Sequence, residues 1–382
     1  MTIPKFFLSA PHHYALEVSI GGVASNATDF IVIQAVDLSK ICKDTNGNFI
    51  NTQPASVAIA DQLPNRPFSP IAVVTNSGCN NISTIDINPA SPTFGNILNT
   101  IAVGTTPQGV AVSQRLGLAV VANNGSGSAS IVNLLTNMQP VPAVTTGTNP
   151  AGVAINEATG AAIVANTLSN NVSVINLGLL TGSSPATSLT ATSVSGVQEP
   201  IAIAIDPDRG TNSQGLAVVT GLQSVSGGSA PNGALYSVDI GLATPTLSTT
   251  ISIGSVNSTP TGIVFDPAAS TATANPGVFY VNSTGTNQIT SFNPDNGASS
   301  FVNVGINPTS LALNPQTGAI LTANAGSHTV SVVDTLSNPF RTRQTLGLPG
   351  SPNFGVAIDQ FTNLAVVVDQ ANNRVFLYPM PN

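Results

Sequence analysis

Tryptophan is absent from this 382-residue chain, cysteine occurs twice, histidine three times, and Lys and Arg together only nine times. The nine cations form no stripe, which removes the electrostatic footprint that nucleic acid or an anionic bilayer would require. Cys42 and Cys79 have neither a CxxC partner nor a nearby His, so they make no zinc motif. No run of eighteen apolar residues exists to cross a membrane as a helix. Glycines are scattered among turns and none clusters ahead of a helix, which excludes phosphate and dinucleotide loops; the GSGS at 125–128 reads as a flexible connection. The start MTIPKFFLSAPHH is too short and too weakly basic for a signal peptide, yet scarce Lys beside abundant Thr, Asn and Gly is the composition of an exported protein. The expectation is a secreted, periplasmic or cell-surface location, with the signal segment absent from this chain.

What is present is a repeat. Pro308 to Asp334, PTSLALNPQTGAILTANAGSHTVSVVD, holds three short apolar runs bounded by Asn, Pro, Gly and Ser, the pattern of strands joined by tight turns. The frame recurs from Pro150 as PAGVAINEATGAAIVANTLSNNVSVIN and from Pro107 as PQGVAVSQRLGLAVVANNGSGSASIVN, each 27 residues from the proline to the polar residue closing the third run. One such unit cannot bury both faces of its own sheet, and stacking of copies is the physical remedy. Strands rich in Val, Ile, Leu and Ala suit burial on both faces between neighbours.

Extended along the chain, the units run over 11–53, 54–106, 107–149, 150–199, 200–259, 260–307, 308–351 and 352–382. That spacing fits four-stranded propeller blades, with NTIAVG at 99–104 and ISIGSV at 251–256 as outer strands. The sequence therefore predicts an all-β fold, a single β-propeller domain over 1–382 with eight blades, seven being the alternative. The first unit is a degenerate copy in which FIVIQAVD takes the third strand. The last unit stops after its third strand, so residues 5–9, KFFLS, are assigned as its outer strand, closing the ring and removing an exposed edge. On that assignment Cys42 and Cys79 fall on opposite faces of the ring, and two unlinked thiols are expected.

The stretches IAVGTTPQGVAVSQRLGLAVVANNGSGSASIVNL, NPAGVAINEATGAAIVANTLSNNVSVINL and NPTSLALNPQTGAILTANAGSHTVSVVD resemble the YVTN-family β-propeller repeat, and the resemblance extends from Pro54 to Tyr378. It implies a propeller related to bacterial surface-layer and cell-surface proteins, with distant similarity to NHL and lactonase-like propellers. Such relatives include enzymes and non-enzymes, so the fold alone does not decide activity.

Residues that recur once per unit read as structural. Asn76, Asn123, Asn166, Asn282 and Asn324 each end a second strand, where a short amide can bond the next backbone amides and hold the turn; Asp369 takes that place in the last unit. Asp206, Asp266, Asn314 and Asp359 follow first strands and read as turn initiators. Residues that break the repeat are more informative. His12 and His13 precede the first strand of the first unit, His328 lies between second and third strands of the seventh, and Asp369 and Arg374 flank the same connection in the eighth. A closed ring makes these units neighbours, so the five side chains form a candidate ligand site for an anion or a divalent metal. No other cofactor and no catalytic residue is assigned.

The leading functional expectation is a non-enzymatic extracellular or periplasmic propeller that binds a protein or glycan through one face. A lactonase-like hydrolase or lyase using the His and Asp set is one alternative; a structural module of a larger cell-wall protein is another. The expected partners exclude nucleic acid and membrane insertion, and a monomer is expected.

Overall fold

A strand that is apolar on both faces stays dry only when sheets stack on both sides of it. In the computed structural model, seven four-stranded antiparallel sheets achieve this by standing as blades around an axis. The structure describes residues 33–210, 215–223, 232–241, 244–256, 258–267, 277–294, 297–337, 339–348, 350 and 355–380, and the backbone of four short strands between 13 and 31. In blades 1 to 6 the four strands form a meander that runs in sequence order from the axis outward. Blade 1 comprises Pro54–Leu63, Arg66–Asn76, Asn81–Asp86 and Ile97–Ala102. Blades 2 to 6 begin with the inner strands Pro107–Ser113, Pro150–Ile155, Ile203–Asp206, Pro260–Asp266 and Pro308–Asn314. Blade 7 comprises Val356–Asp359, Leu364–Asp369 and Arg374–Pro379, and its outer strand is Gln34–Asp37 from the other end of the chain.

Burial follows strand position. Leu118–Asn123, Ala319–Asn324 and Leu364–Asp369, all second strands, are buried at every residue, whereas the outer strand Arg341–Gly347 alternates between exposed and half-buried. The core therefore lies between blades. Each inner strand packs on the next around the full circle, including that of blade 7 on that of blade 1. Hydroxyls tie adjacent blades further: Thr75, Thr167 and Thr261 donate through Oγ1 to the carbonyls of Gln108, Pro200 and Pro308 at 2.7, 2.8 and 3.0 Å.

The ring has seven blades, not eight. Residues 11–53 do not form a blade: His13–Leu16 pairs with Thr28–Ile31 and Ser19–Ile20 with Val23–Ala24 in two small two-stranded sheets. The end of FIVIQAVD is the outer strand of blade 7, with Arg374 opposite Asp37, Val375 opposite Val36, Phe376 opposite Ala35 and Leu377 opposite Gln34. Residues 5–9 lie outside the described residues, and the place expected for them is filled by Gln34–Asp37. The physical reason is a phase error. An apolar run ending in Asp suits an outer closing strand as well as a third strand, and the Gly- and Ser-containing residues between Leu16 and Thr28 supply only two-residue strands where a blade needs a full second strand.

Closure is made by packing as well as pairing. Val36 and Leu38 join Val57, Val74 and Ile85 of blade 1 and Val366, Val375 and Leu377 of blade 7 in one dry cluster. A chain joined end to end in this way presents no unpaired edge at its seam.

Candidate functional site

The connections from outer to next inner strand and from second to third strand share one face of the ring, here called the Asn face. Its turns between second and third strands end on a left-handed residue: Asn80, Gly127, Asn170, Asn287, His328 and Asn373 all have φ between 51° and 58°. His328 thus stands in an Asn position, which a His tolerates better than most side chains. Its carbonyl accepts a hydrogen bond from the Leu348 amide. Asp369 is fully buried; its Oδ2 accepts from Arg374 Nε at 2.8 Å, and both oxygens accept from Asn372 Nδ2 at 3.0 and 2.9 Å. The Arg374 guanidinium also lies 4.7 Å from the centre of the Phe376 ring. Of the five candidate ligand residues, the structure brings Asp369 and Arg374 onto each other. His13 is placed by its backbone alone, opposite Ile31, and His12 lies outside the described residues. Among the described residues no group of three or more His, Cys, Asp or Glu is arranged to hold a metal.

The asparagines that end second strands are buried and work differently from the expectation. Their side-chain amides donate across to the third strand, to the residues five and seven positions on. Asn76 reaches Asn81 Oδ1 and Ser83 Oγ at 2.8 and 2.9 Å, Asn166 reaches Asn171 Oδ1 and Ser173 Oγ at 2.8 and 2.9 Å, and Asn324 reaches Thr329 Oγ1 and Ser331 Oγ at 3.1 and 3.0 Å. Asn123 does the same with Ser128 and Ser130. Asn282 instead accepts from Thr261 Oγ1 at 3.2 Å. Fixing two strands at the hairpin end is a scaffold role, and Asn166→Ala should cost about 2 kcal/mol in chemical denaturation by stranding the buried Ser173 hydroxyl. The pattern Asn, then a polar residue at plus five and Ser at plus seven, is visible in the sequence.

The same face carries the one disulfide, Cys42 to Cys79, with Cα atoms 6.2 Å apart. The expectation of two thiols on opposite faces fails with the phase error. Because Gln34–Asp37 is an outer strand, the chain after it is an outer-to-inner connection and emerges on the face that carries the blade 1 turn holding Cys79. The bond staples the connection 38–53. Within it Lys43 and Phe49 form a bridge, and Asp44 Oδ1 accepts the amides of Asn46 and Asn48 at 2.9 and 2.8 Å. The Asn48 amide bond leads the causes that hold the Asp44 carboxyl below its usual range. Thr52 Oγ1 and the Gln53 amide donate to Asn373 Oδ1 of blade 7 at 3.0 and 3.1 Å. At the tip, Phe49 is 53% exposed with Lys43 Nζ 4.8 Å from its ring centre.

Along the axis, one small residue comes from each blade, at or just before its inner strand: Ser56, Gly109, Gly152, Ala202, Gly262, Ser310 and Gly355 line a channel of about 240 Å³. The inner strands leave no room for more at Gly109, where a Cβ would lie 2.1 Å from the Ala151 carbonyl oxygen. At the opposite end, the Asp face, most inner strands finish on a buried turn-capping residue. Asp206 Oδ1 accepts the Asp208 amide, Asn314 Oδ1 the Gln316 amide, and Asp359 the Phe361 amide and Thr362 Oγ1 at 3.1 and 2.6 Å. Asp206 also accepts from Arg209 Nε at 2.7 Å, yet its burial raises its carboxyl pKa.

Asp61 is the exception, and sequence reasoning missed it. Blade 1 extends its inner strand to Leu63, and a bulge between Ala60 and Gln62 leaves Asp61 within the strand rather than at a turn. It is 7% exposed; Oδ2 accepts from Gln360 Nε2 at 3.3 Å and Oδ1 has no hydrogen-bond partner in the protein. Burial, then the Asp359 carboxylate, push its pKa up. A raised folded-state pKa means the ionised group costs stability; the cost is full above that pKa and vanishes as pH falls below the unfolded value near ~3.9. Asp61→Asn should therefore melt above the parent protein at pH 7 and together with it near pH 3. The only signal was an acid in ASVAIADQL with no turn residue after it.

No family model and no curated protein matches the chain. Among solved structures it is similar to a chain of Kuenenia stuttgartiensis hydrazine synthase, at 15% sequence identity and a TM-score of 0.67, over 88% of this chain and 99% of that one. That likeness establishes the propeller architecture and nothing of its chemistry.

Proposed function

We propose that this chain is a non-catalytic, exported propeller that recognises a protein or glycan partner through its Asn face, acting as a monomer of the YVTN surface-protein type. The observation that carries the reading is the stapled connection 38–53, in which a disulfide, an Asx-type turn and two bonds to blade 7 fix an exposed aromatic tip. Ordering a loop before binding removes part of the entropic cost of association, and an aromatic anchor is the kind of residue that dominates contact energy. Disulfides persist in oxidising compartments, which supports export. Asp369 is already held by Arg374 within its own hairpin, which favours a structural role for that carboxylate.

A photo-reactive phenylalanine analogue at position 49, with a control at the somewhat more exposed Phe301 on the outer strand of blade 5, tests the reading in intact cell envelopes. The expected result is one discrete cross-linked adduct from position 49 and none from 301. Equal labelling from both positions, or none from 49, would contradict it.

A further inference from the structure

Connections from first to second and from third to fourth strand emerge on the Asp face, and one of them breaks the repeat. Blade 3 takes residues 177–190 to pass from its third to its fourth strand, where blade 4 takes 240–245 and blade 6 takes 335–340. The longer connection is ordered. It opens with a 3-10 turn, Leu177–Leu180, whose period of three sends Leu177 into the core and packs Leu180 against it, leaving Leu179 54% exposed. Asn176 caps the turn by accepting the Gly178 amide through Oδ1 at 2.9 Å. The Ala186 amide donates back to the Leu179 carbonyl at 2.8 Å, and the buried Leu189 anchors the return. Held in this way, the connection encloses against blade 4 a cavity of about 600 Å³.

We propose that this cavity binds a short neutral oligosaccharide, a function separate from partner recognition by the Asn face. The polar side chains that line it are within reach of a ligand, since Asn176, Thr190 and Thr192 are all exposed. Capping uses Asn176 Oδ1 and leaves its Nδ2 donors for a ligand, while the hydroxyls of Thr190 and Thr192 make no hydrogen bond among the described residues. Beside them, Val174, Leu179, Ile240 and Pro245 supply aliphatic surface. A pyranose matches that mixture, because its hydroxyls stand around the rim of a ring whose two faces are C–H. A charged ligand of either sign finds no counter-ion, as no ionisable side chain among the described residues lines the cavity. Glu157 and Asp239, the acids nearest the lining in sequence, accept from Ser113 and Gln114 of blade 2 and from the Gly241 amide. A wholly apolar ligand would strip water from Asn176, Thr190 and Thr192 without replacing its hydrogen bonds. The volume lies within the range of organic-ligand cavities, about 300 to 1,000 Å³, and suits about two or three sugar rings. An ordered wall removes part of the entropic cost of closing on a flexible ligand.

The test is calorimetric titration of the full chain with the neutral trisaccharides cellotriose, maltotriose and triacetylchitotriose, with trigalacturonate as a charged analogue and n-hexanol as an apolar one. Thr192→Val removes a hydroxyl and keeps the branched shape, and Leu179→Ala trims the aliphatic wall. Thr100→Val makes the same hydroxyl deletion at an exposed position on the outer strand of blade 1, away from the cavity. Thermal melts establish that each variant is folded. The proposal expects at least one neutral trisaccharide to saturate with a Kd of about 1 mM or tighter, and neither trigalacturonate nor n-hexanol to do so. Thr192→Val should weaken that binding about threefold to tenfold and Leu179→Ala about threefold or more, whereas Thr100→Val and Phe49→Ala should leave it unchanged. It is overturned if no neutral trisaccharide saturates, if trigalacturonate or n-hexanol binds as tightly, or if Thr192→Val and Leu179→Ala both bind like the parent. Loss of binding in Phe49→Ala with the cavity variants unaffected would also overturn it, by moving the sugar to the Asn face.

Discussion

Removing residues 1–37 is expected to open the ring. Those residues include the outer strand of blade 7, and without it Arg374–Pro379, whose Val375 and Leu377 are fully buried in the intact protein, becomes an unpaired edge. Val36 and Leu38, 5% and 0% exposed, lose their packing or their anchor. Two such side chains are worth roughly 1.5 to 3 kcal/mol each before the ladder of backbone bonds is counted, so the loss is about 5 kcal/mol or more. Against a total stability of about 5 to 15 kcal/mol this is enough to unfold the seam or the whole ring. Size-exclusion chromatography should show aggregates or an expanded species, because a free strand edge pairs with other chains. Val36→Asp isolates the same contact and should lower the melting temperature while leaving the chain at full length. A truncated protein that elutes and melts like the parent would place closure elsewhere.

Replacing Cys42 and Cys79 together by Ser has the second large effect. The bond spans a sequence separation of 37 residues, for which the chain-entropy relation gives about 4 kcal/mol. For a chain of this length the matching fall in melting temperature is about 5 °C. The same fall should follow treatment of the parent protein with a reductant, and the double variant should then be insensitive to it. The position 49 adduct should weaken in parallel, since the stapled connection loses its preorganisation. A double variant with unaltered melting and unaltered cross-linking would remove the staple from both the stability and the recognition arguments.

The fold was legible in the sequence wherever a residue's role repeats. Pro107, Pro150, Pro260 and Pro308 open inner strands, and Asn76, Asn123, Asn166 and Asn324 close second strands, because every blade meets the same neighbours and needs the same side chains. What repeats least was read least well. The stretch around Val36 has the composition of either a third or an outer strand, and only its pairing with Arg374–Pro379 decides between them. One wrong phase moved Cys42 to the wrong face, added an eighth blade and turned a disulfide into two thiols. At the candidate sites, Asp369 and Arg374 bond to each other within one hairpin, and a partner five residues along the chain is a local pair rather than a contact across the ring. Asp61 escaped because its importance comes from a one-residue bulge and from Asp359 about 300 residues away, neither of which leaves a local pattern.

The Asn-face position of the stapled connection depends on Gln34–Asp37 being the outermost strand of the last blade. Hydrogen exchange followed by mass spectrometry tests that placement directly, by comparing peptides covering residues 33–38 with those covering Arg374–Pro379. Closure by this strand predicts that both sets are protected together and lose protection together in the Val36→Asp variant. Rapid exchange of residues 33–38 beside full protection of Arg374–Pro379 would show that another segment closes the ring.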